Sequence, residues 1–371
     1  MTTTAPRLTT VGALRSRVKK LAELVTTPLV PADYLDVIDP LLSNVNLRGR
    51  IVAIHPETPD AATLVIKPGR GWRTHTPGQY IRIGVDIDGV RQWRAYSLTS
   101  QTGRSDGCIS VTVKAIPDGK VSNHLVRDAT AGTVVQLDQA AGDFTFGTAT
   151  PPRVLFLTAG SGITPVMGML RNMNLGGALQ NTDVNTDVVV VHSAPTADDV
   201  IFGAELRELG LQGRIRLIEL HTDTDGMLDV ARLGDLVEDF TERQTWACGP
   251  AGLLDAVEQR WAAIGIADRL HTERFRPVVI TAGDGGLVTF SKSETVVETG
   301  GAQTLLDAGE SAGVLMPSGC RMGICFGCVA PLRQGAVRDL RTGNLTTASP
   351  GDNVQIQTCV SAAAGACDID L

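Results

Sequence analysis

Cysteine is scarce in most of this chain, because the first 319 residues contain only Cys108 and Cys248. A secreted domain held together by disulfides is short and rich in cysteine throughout, so that class of protein is excluded. The other five cysteines lie in the last 52 residues. A local group of this kind indicates a metal site in a protein of a reducing compartment.

The chain also lacks long apolar runs and an excess of positive charge. No run of about 18 apolar residues is present, which predicts no transmembrane helix. The polar first residues and the basic stretch after them contain no apolar core, so we expect that they do not act as a secretory signal. The net charge of -7 gives no electrostatic footprint for nucleic acid. We therefore expect a cytoplasmic protein that binds no nucleic acid.

The length of 371 residues predicts two or three domains, at roughly 100–200 residues for each. A hydrophobic content of 43% is enough to build their cores. Residues 1–45 show helical spacing of apolar residues and are predicted to form an N-terminal helical extension. This extension packs on the main body in the simplest interpretation, and docking on a membrane surface or a partner is the alternative.

The rest of the chain divides by pattern. Residues 46–149 contain short β-rich segments between turn residues, which predicts an antiparallel β-barrel with one short helix. Residues 150–276 alternate β-branched strands with helices, which is typical of a doubly wound α/β domain. A linker over 277–285 leads to a last unit over 286–371 that contains strands, a helix and the cysteine loop. In the α/β domain, helices are expected over 164–173, 198–209, 228–239 and 251–263.

The cysteine loop has a specific spacing, Cys-x4-Cys-x2-Cys, with a further cysteine later in the chain. The four residues are Cys320, Cys325, Cys328 and Cys359. This is the spacing of plant-type [2Fe–2S] sites. The loop glycines allow backbone N–H groups to approach an anionic cluster. Structural zinc is the first alternative, although zinc sites usually show paired Cys-x2-Cys half-sites, and a loop of buried cysteines is the second.

Residues 286–371 resemble a plant-type [2Fe–2S] ferredoxin domain, and the four cysteines fall on that family's ligand positions. The resemblance implies an α+β fold of the β-grasp type. Cys367 falls outside the ligand pattern, so we expect it to pack in a terminal strand.

A strand of the predicted barrel ends in Arg94, Tyr96 and Ser97. An arginine can pair with a phosphate through two hydrogen bonds, a tyrosine offers a planar face, and a serine can hydrogen-bond the edge of a flavin ring. Four consecutive residues are a weak motif by themselves, and ordinary strand residues are the alternative.

A second barrel segment favours FAD over FMN. A strand that ends at Val113 and Lys114 leads to a turn that contains Gly119, Val121 and Ser122 and opens a helix. Such a turn is a site for a pyrophosphate. FMN remains the alternative, because related FMN proteins share the first motif.

The α/β domain carries two motifs for a nicotinamide nucleotide. Its first strand runs into a glycine-rich turn and a helix through Thr158, Gly160, Gly162, Thr164 and Pro165. The glycines let a pyrophosphate approach the backbone, although a proline stands where the third glycine of G-x-G-x-x-G would be. A later strand ends at Cys248, Gly249 and Pro250, which places a thiol where open sheets bind ligands. A buried structural cysteine is the alternative.

In this order, the motifs resemble those of the ferredoxin–NADP reductase superfamily over about residues 46–371. The resemblance implies that Arg94, Tyr96 and Ser97 bind the flavin. It also implies that Cys248, Glu273 and Phe275 border the catalytic site where the nicotinamide meets the flavin ring. The implied reaction passes a hydride from NAD(P)H to flavin N5 and then single electrons through the cluster to an external protein.

The sequence identifies the nucleotide donor and the partner less specifically than the cofactors. Ser193 could contact a ribose 2′-phosphate, which favours NADPH as the donor. Pro195 stands near the position where related NADP enzymes carry an arginine, so NADH stays open as the alternative. The domain order resembles reductase components of oxygenases and fatty-acid desaturases. The expected partner is therefore a di-iron desaturase or an oxygenase component, with peripheral association to a membrane partner as one variant. The alternatives are the reductase of an aromatic-ring oxygenase and a redox-sensing carrier module that reports nicotinamide status.

Overall fold

The computed structural model describes residues 39–42, 46–117, 119–173, 175, 186–275, 282–319, 321, 323 and 326–371. Most of the predicted N-terminal helical extension lies outside these residues, and so does most of the predicted linker. Two of the predicted cluster ligands, Cys320 and Cys325, also lie outside them. Among the described residues, no helix is both long and apolar enough to cross a membrane.

The first domain is a six-stranded antiparallel sheet with the order β4-β3-β6-β1-β2-β5. A bridge between Leu98 and Val111 joins the two outer strands, which closes the sheet into the predicted barrel. Alternate side chains point inward, so that Ile51, Leu64 and Ile83 are fully buried in the barrel core. The strands are β1 (Arg48–Thr58), β2 (Ala61–Pro68), β3 (Tyr80–Ile87), β4 (Val90–Ser97), β5 (Ile109–Lys114) and β6 (Val134–Leu137).

A short helix lies between β5 and β6, close to where the sequence predicts one. Helix α1 (Lys120–Asn123) continues into a π-helical turn over His124–Asp128. Val121 and Leu125 are fully buried on this segment and belong to the same core as the barrel strands. The segment therefore covers the barrel core instead of standing out from it.

The second domain is a five-stranded parallel sheet with the order β11-β10-β7-β8-β9. The chain enters at β7 in the centre, proceeds outward to β9, and returns to β10 on the other side of β7. This confirms the doubly wound fold, and it places the switch in strand order between β7 and β10. The strands are β7 (Arg153–Ala159), β8 (Asp187–Ala194), β9 (Arg216–His221), β10 (Gln244–Cys248) and β11 (Leu270–Glu273). The helices are α2 (Ile163–Leu170), α3 (Gly203–Leu211), α4 (Thr222–Asp225), α5 (Leu233–Leu236) and α6 (Ala251–Ala263).

Two of the helix predictions in this domain need correction. The helix expected over 228–239 is a 3-10 turn followed by the four-residue α5, because Asp229 caps the turn through the amide of Ala231 and Gly234 weakens helix propagation. The helix expected from residue 198 starts only at Gly203. A capping box between Thr196 and Asp199 begins a separate 3-10 turn, and Phe202 has a left-handed backbone with φ of 61°.

Helix α2 fastens the second domain to the barrel. A Cβ at Gly168 would lie 2.2 Å from the carbonyl oxygen of Leu98, so the helix approaches the backbone just after β4 at a distance that only glycine permits. At the end of the helix, Arg171 donates from Nη1 to the Thr99 carbonyl at 2.7 Å. Asn172 donates from Nδ2 to the Ser100 carbonyl at 3.1 Å. The residues that follow the flavin motif are therefore held by the helix that follows the glycine-rich turn.

The third domain is a mixed sheet with one helix packed on it, which confirms the α+β prediction. The sheet order is β13-β12-β17-β14-β15, with β16 paired to β14, and β12 runs parallel to β17. Leu305 and Leu306 of the helix are buried in its core, and so is Cys367 in β17, where the sequence places it. The elements are β12 (Gly286–Phe290), β13 (Thr295–Thr299), α7 (Leu305–Ser311), β14 (Val329–Asp339), β15 (Leu345–Ala348), β16 (Val354–Gln357) and β17 (Ser361–Ile369).

Candidate functional site

The end of β4 carries the predicted flavin residues. Burial, together with the positive charge of Arg321 in the third domain, lowers the pKa of Arg94 to about 10. In this structure Arg94 donates from Nη1 to the carbonyl of Trp93 at 2.8 Å. Burial raises the pKa of the Tyr96 hydroxyl, so this group stays protonated. A largely buried guanidinium beside a neutral phenol is suited to an anionic and aromatic ligand such as a flavin nucleotide.

Ser97 provides an independent test of whether a flavin fits this strand. Its side chain is only 3% exposed, and its Oγ has no hydrogen-bond partner among the described residues. Leaving a buried hydroxyl unpaired costs about 1–3 kcal/mol. A flavin ring edge, which carries both donors and acceptors, would satisfy this hydroxyl, so the residues present fit the group.

The second flavin segment forms a tight turn. Ser122 Oγ donates to the Gly119 carbonyl at 3.1 Å and accepts from the amide of Ile116 at 3.3 Å. A Cβ at Gly119 would lie 2.4 Å from Ser122 Oγ, which explains why a glycine occupies this position. The ammonium of Lys114 pairs with Asp60 at 2.7 Å. Two further residues of the predicted set, Val113 and Val121, are fully buried in the barrel core, so only their backbone could face a ligand.

The glycine-rich turn after β7 lies directly against the end of β10. A Cβ at Gly162 would lie 2.1 Å from the carbonyl oxygen of Cys248, and a Cβ at Gly249 would lie 3.3 Å from Ala159 at the end of β7. Thr164 donates from Oγ1 to the carbonyl of Ser161 at 2.9 Å, which closes the turn between Gly160 and the first turn of α2 around the buried Pro165. The two nicotinamide motifs therefore form one surface at the switch point of the sheet.

Cys248 and Glu273 are register partners on the neighbouring strands β10 and β11, and Cys248 also pairs with Thr158 on β7. Burial raises the pKa of the Cys248 thiol well above its usual value, and the carboxyl of Glu273 adds to the rise. Burial raises the pKa of Glu273 to about 8, and its Oε2 has no hydrogen-bond partner among the described residues. The site therefore presents a neutral thiol beside a protonated carboxyl at neutral pH.

Phe275 and Ser193, two further residues of the predicted site, differ in exposure and in their place in the sheet. Phe275 follows β11 and is 38% exposed, so its ring is available to a ligand. Ser193 is buried near the end of β8 and pairs in register with Ala159. Pro250, the last residue of the cysteine motif, is the N-cap of α6.

The third domain brings two of the predicted cluster ligands to one place. Cys328 is 1% exposed and Cys359 is 3% exposed. Thr358 donates to the carbonyl of Cys328 from its amide at 3.2 Å and from Oγ1 at 2.9 Å, which ties the end of β16 to the cysteine loop. In the loop, Gly323 has φ of 73°, and its carbonyl accepts from Arg341 at 3.0 Å. Two buried sulfur side chains beside a glycine-shaped loop fit an iron–sulfur cluster.

Sequence reasoning missed His75, Ser100 and Glu258. The first two are buried near Ser97 in the fold, and both His75 Nε2 and Ser100 Oγ lack a hydrogen-bond partner in the described part of the chain. His75 is hydrogen-bonded to the backbone of Ser100 across 25 residues of sequence. No local pattern predicts such a contact, since the two residues meet only after the barrel has formed.

Three families of domain match this chain in the predicted order. An oxidoreductase FAD-binding domain matches residues 72–146, an oxidoreductase NAD-binding domain matches 156–259, and a 2Fe-2S iron-sulfur cluster binding domain matches 288–364. The cofactors are therefore FAD, a nicotinamide nucleotide and a [2Fe–2S] cluster, and the protein is an oxidoreductase.

Curated relatives match over most of their length. A Mycobacterium tuberculosis protein named NADPH oxidoreductase is 50% identical over 95% of this chain and 92% of its own. The Escherichia coli NADH oxidoreductase HCR is 32% identical over 81% and 90%. The ferredoxin reductase component of a Mycolicibacterium smegmatis 3-ketosteroid-9-alpha-monooxygenase is 30% identical over 81% and 89%.

Among solved structures, phthalate dioxygenase reductase superposes with a TM-score of 0.60 over 88% of this chain and 98% of its own, at 19% identity. At that identity the likeness shows the fold alone. It supports the three-domain arrangement of flavin barrel, nicotinamide domain and [2Fe–2S] domain.

The raised pKa of Glu273 predicts a pH dependence of stability. Below about pH 4.5 the carboxyl is protonated in both the folded and the unfolded state, so its full contribution to the free energy of unfolding is present there. Between about pH 4.5 and 8 only the unfolded state releases the proton, so the free energy of unfolding falls as the pH rises. One pKa unit corresponds to about 1.4 kcal/mol, so the expected loss is several kcal/mol. Glu273→Gln should abolish this part of the pH dependence.

The measurement is urea unfolding of the flavin-free protein from pH 5 to 9, followed by tryptophan fluorescence. Glu238→Gln makes the same charge change at an exposed position and is the matched control. The burial argument is contradicted if the Glu273→Gln and wild-type curves stay parallel over this range.

Proposed function

This chain belongs to the ferredoxin–NADP reductase superfamily, with a C-terminal plant-type [2Fe–2S] ferredoxin domain, and we propose that it delivers electrons from NADPH to a desaturase or oxygenase component. The position of helix α2 supports the transfer of electrons from the nucleotide to the flavin. Helix α2 begins at the glycine-rich turn and ends against Leu98–Ser100, directly after the flavin motif. Its eight residues span about 12 Å, so a single rigid element fixes the distance between the two binding motifs.

When bound, FAD accepts two electrons as a hydride from the nicotinamide and can release them singly to the [2Fe–2S] cluster. Arg94 would hold the flavin phosphate charge, and Ser97 would hydrogen-bond the edge of the ring. The tight turn of Gly119 and Ser122 would face the pyrophosphate. The described residues supply what the flavin needs, namely a largely buried positive charge and an unsatisfied buried hydroxyl.

Cys248 and Glu273 would form the wall against which the nicotinamide ring lies. Their burial would exclude water, and their neutral state would leave no negative charge beside the nicotinamide ring. The protonated carboxyl of Glu273 can donate a hydrogen bond at pH 7, which an ionised carboxylate cannot do. Phe275, partly exposed beside them, would cover the flavin ring until the nucleotide enters.

The electron exit would lie at the cysteine loop, where Cys320, Cys325, Cys328 and Cys359 hold the cluster. The sequence shows no further catalytic constellation, so we place the terminal reaction on another chain. The names of relatives support a partner of the oxygenase class, since these relatives include reductase components of a glycine betaine monooxygenase and a 3-ketosteroid-9-alpha-monooxygenase. We propose that the protein acts in the cytoplasm. We also propose that its domain boundaries are those that the sequence predicts.

NADPH is the proposed donor. The relative named NADPH oxidoreductase, at 50% identity, supports this choice, although a relative at 32% identity is named for NADH. Ser193 is the side chain proposed to meet the 2′-phosphate.

The order of electron flow predicts opposite effects for two matched cysteine variants. Cys248→Ala should slow the reduction of bound FAD by NADPH about tenfold or more while the absorbance of the cluster stays intact. Cys359→Ser should remove the cluster absorbance and leave NADPH-dependent reduction of a dye by the flavin near the wild-type rate. Stopped-flow spectroscopy measures both. Wild-type flavin reduction in Cys248→Ala would remove that residue from the site, and loss of dye reduction in Cys359→Ser would mean that the two units do not work separately.

The donor proposal predicts a higher kcat/KM with NADPH than with NADH, measured as initial rates of ferricyanide reduction. The difference should shrink in Ser193→Ala through an increase in the KM for NADPH alone. Equal kcat/KM values for the two donors in the wild type would contradict the proposal.

The partner proposal predicts a complex whose terminal component is reduced only when NADPH is present. The reduced holoprotein, captured with its bound proteins and read by mass spectrometry, should retain a desaturase or oxygenase chain. Reconstitution with that chain should give NADPH-dependent substrate oxidation, and Cys359→Ser should abolish it. A partner that binds in a reduction-dependent way without turnover would favour the sensing alternative instead.

A further inference from the structure

The short strand β11 carries Glu273 but is weakly held by the sheet. It has four residues and lies at the edge, paired with β10 and with no other described strand. An edge strand has unpaired backbone groups along one side, and a strand this short contributes few ladder hydrogen bonds. Something besides the ladder must therefore keep its last residue in place.

Helix α6 supplies the missing contacts through two carboxylates, of which Glu258 contacts both neighbours of Glu273. Glu258 accepts from Thr272 Oγ1 at 2.9 Å with Oε1, and from Arg274 Nη2 at 2.8 Å with Oε2. Asp255, one turn earlier on the same helix, contacts the same Arg274 nitrogen at 2.8 Å. The two residues that Glu258 binds are the chain neighbours of Glu273 on either side.

This arrangement determines where the Glu273 side chain points. Successive side chains of an extended segment face opposite sides. Because Thr272 and Arg274 are held toward α6, Glu273 is turned away from the helix, and the register places it beside Cys248. Loss of the carboxylate at residue 258 would release Thr272 and leave Arg274 held on this helix by Asp255.

We propose that Glu258 is a positioning residue for hydride transfer, which holds Thr272 and Arg274 so that Glu273 stays beside Cys248. The inference rests on the proposed role of Cys248 and Glu273 in that step. Exposed ion pairs contribute little to stability, and the Glu258 side chain is 42% exposed. Its loss should therefore disturb the geometry of the site far more than the stability of the fold.

The test uses the holoprotein with FAD and cluster bound, and three variants. Glu258→Ala removes both hydrogen bonds, while Glu258→Gln keeps one acceptor oxygen and should restore part of the activity. Gln259→Ala changes the adjacent, exposed residue of the same helix and is the matched control. The measurements are the limiting rate of flavin reduction per bound FAD at saturating NADPH, the apparent Kd for NADPH, and the isotope effect with NADPH deuterated at C4.

A misplacement of about 1 Å can cost up to about a hundredfold in rate. Glu258→Ala should therefore lower the limiting rate at least about tenfold, change the Kd for NADPH by less than about twofold, and increase the isotope effect. Glu258→Gln should lie between Glu258→Ala and the wild type, and Gln259→Ala should match the wild type.

Each outcome decides the question. A wild-type limiting rate in Glu258→Ala, together with slow reduction in Cys248→Ala, overturns the positioning role and leaves the proposed function standing. Wild-type rates in both variants remove the proposed hydride site itself. A lower rate in Glu258→Ala that Glu258→Gln does not improve, with an unchanged isotope effect, indicates general damage to the fold and also overturns the positioning role.

Discussion

The close approach of the glycine-rich turn to the end of β10 is the constraint on which the rest of the site depends. No side chain larger than hydrogen fits at Gly162, since a Cβ would lie 2.1 Å from the carbonyl oxygen of Cys248. This contact holds the motif after β7 against the motif after β10 at the switch point of a parallel sheet. Cys248 in turn lies beside Glu273 through the ladder between β10 and β11. A bulkier residue at 162 would separate the two halves of the nucleotide site.

Helix α2 connects this constrained turn to the flavin barrel. It starts at the constrained turn, and its last residues meet the backbone after β4 through Gly168, Arg171 and Asn172. Arg171 is itself held by Glu205, with hydrogen bonds from Nε at 2.9 Å and from Nη2 at 2.5 Å. The flavin strand and the nucleotide turn are therefore connected through a short, fully buried helix and not through a flexible linker.

The charges of the site are arranged to match the ligands of each half. The barrel side has a largely buried guanidinium, which suits a phosphate, while the proposed hydride-transfer side has a thiol and a carboxyl that burial keeps neutral. An ionised pair at Cys248 and Glu273 would place two negative charges in an apolar wall, at a high free-energy cost. The contacts of Glu258 with the chain on both sides of Glu273 explain how an edge strand can hold so unfavourable a group in position.

The sequence by itself determined the features that depend on local spacing. The cysteine loop, the Arg94–Ser97 strand end, the glycine-rich turn and the three domain types all follow from residues that are close together in the chain.

The tertiary structure alone decided the rest. The division of the helix expected over 228–239 depends on one cap and one glycine, and the closure of the barrel depends on a bridge between Leu98 and Val111. The contacts of Glu258 with Thr272 and Arg274 join a helix to a strand, and those of His75 and Ser100 join two barrel segments. Such contacts leave no periodic trace in a sequence, because they arise only when distant segments pack and exclude water from the groups between them.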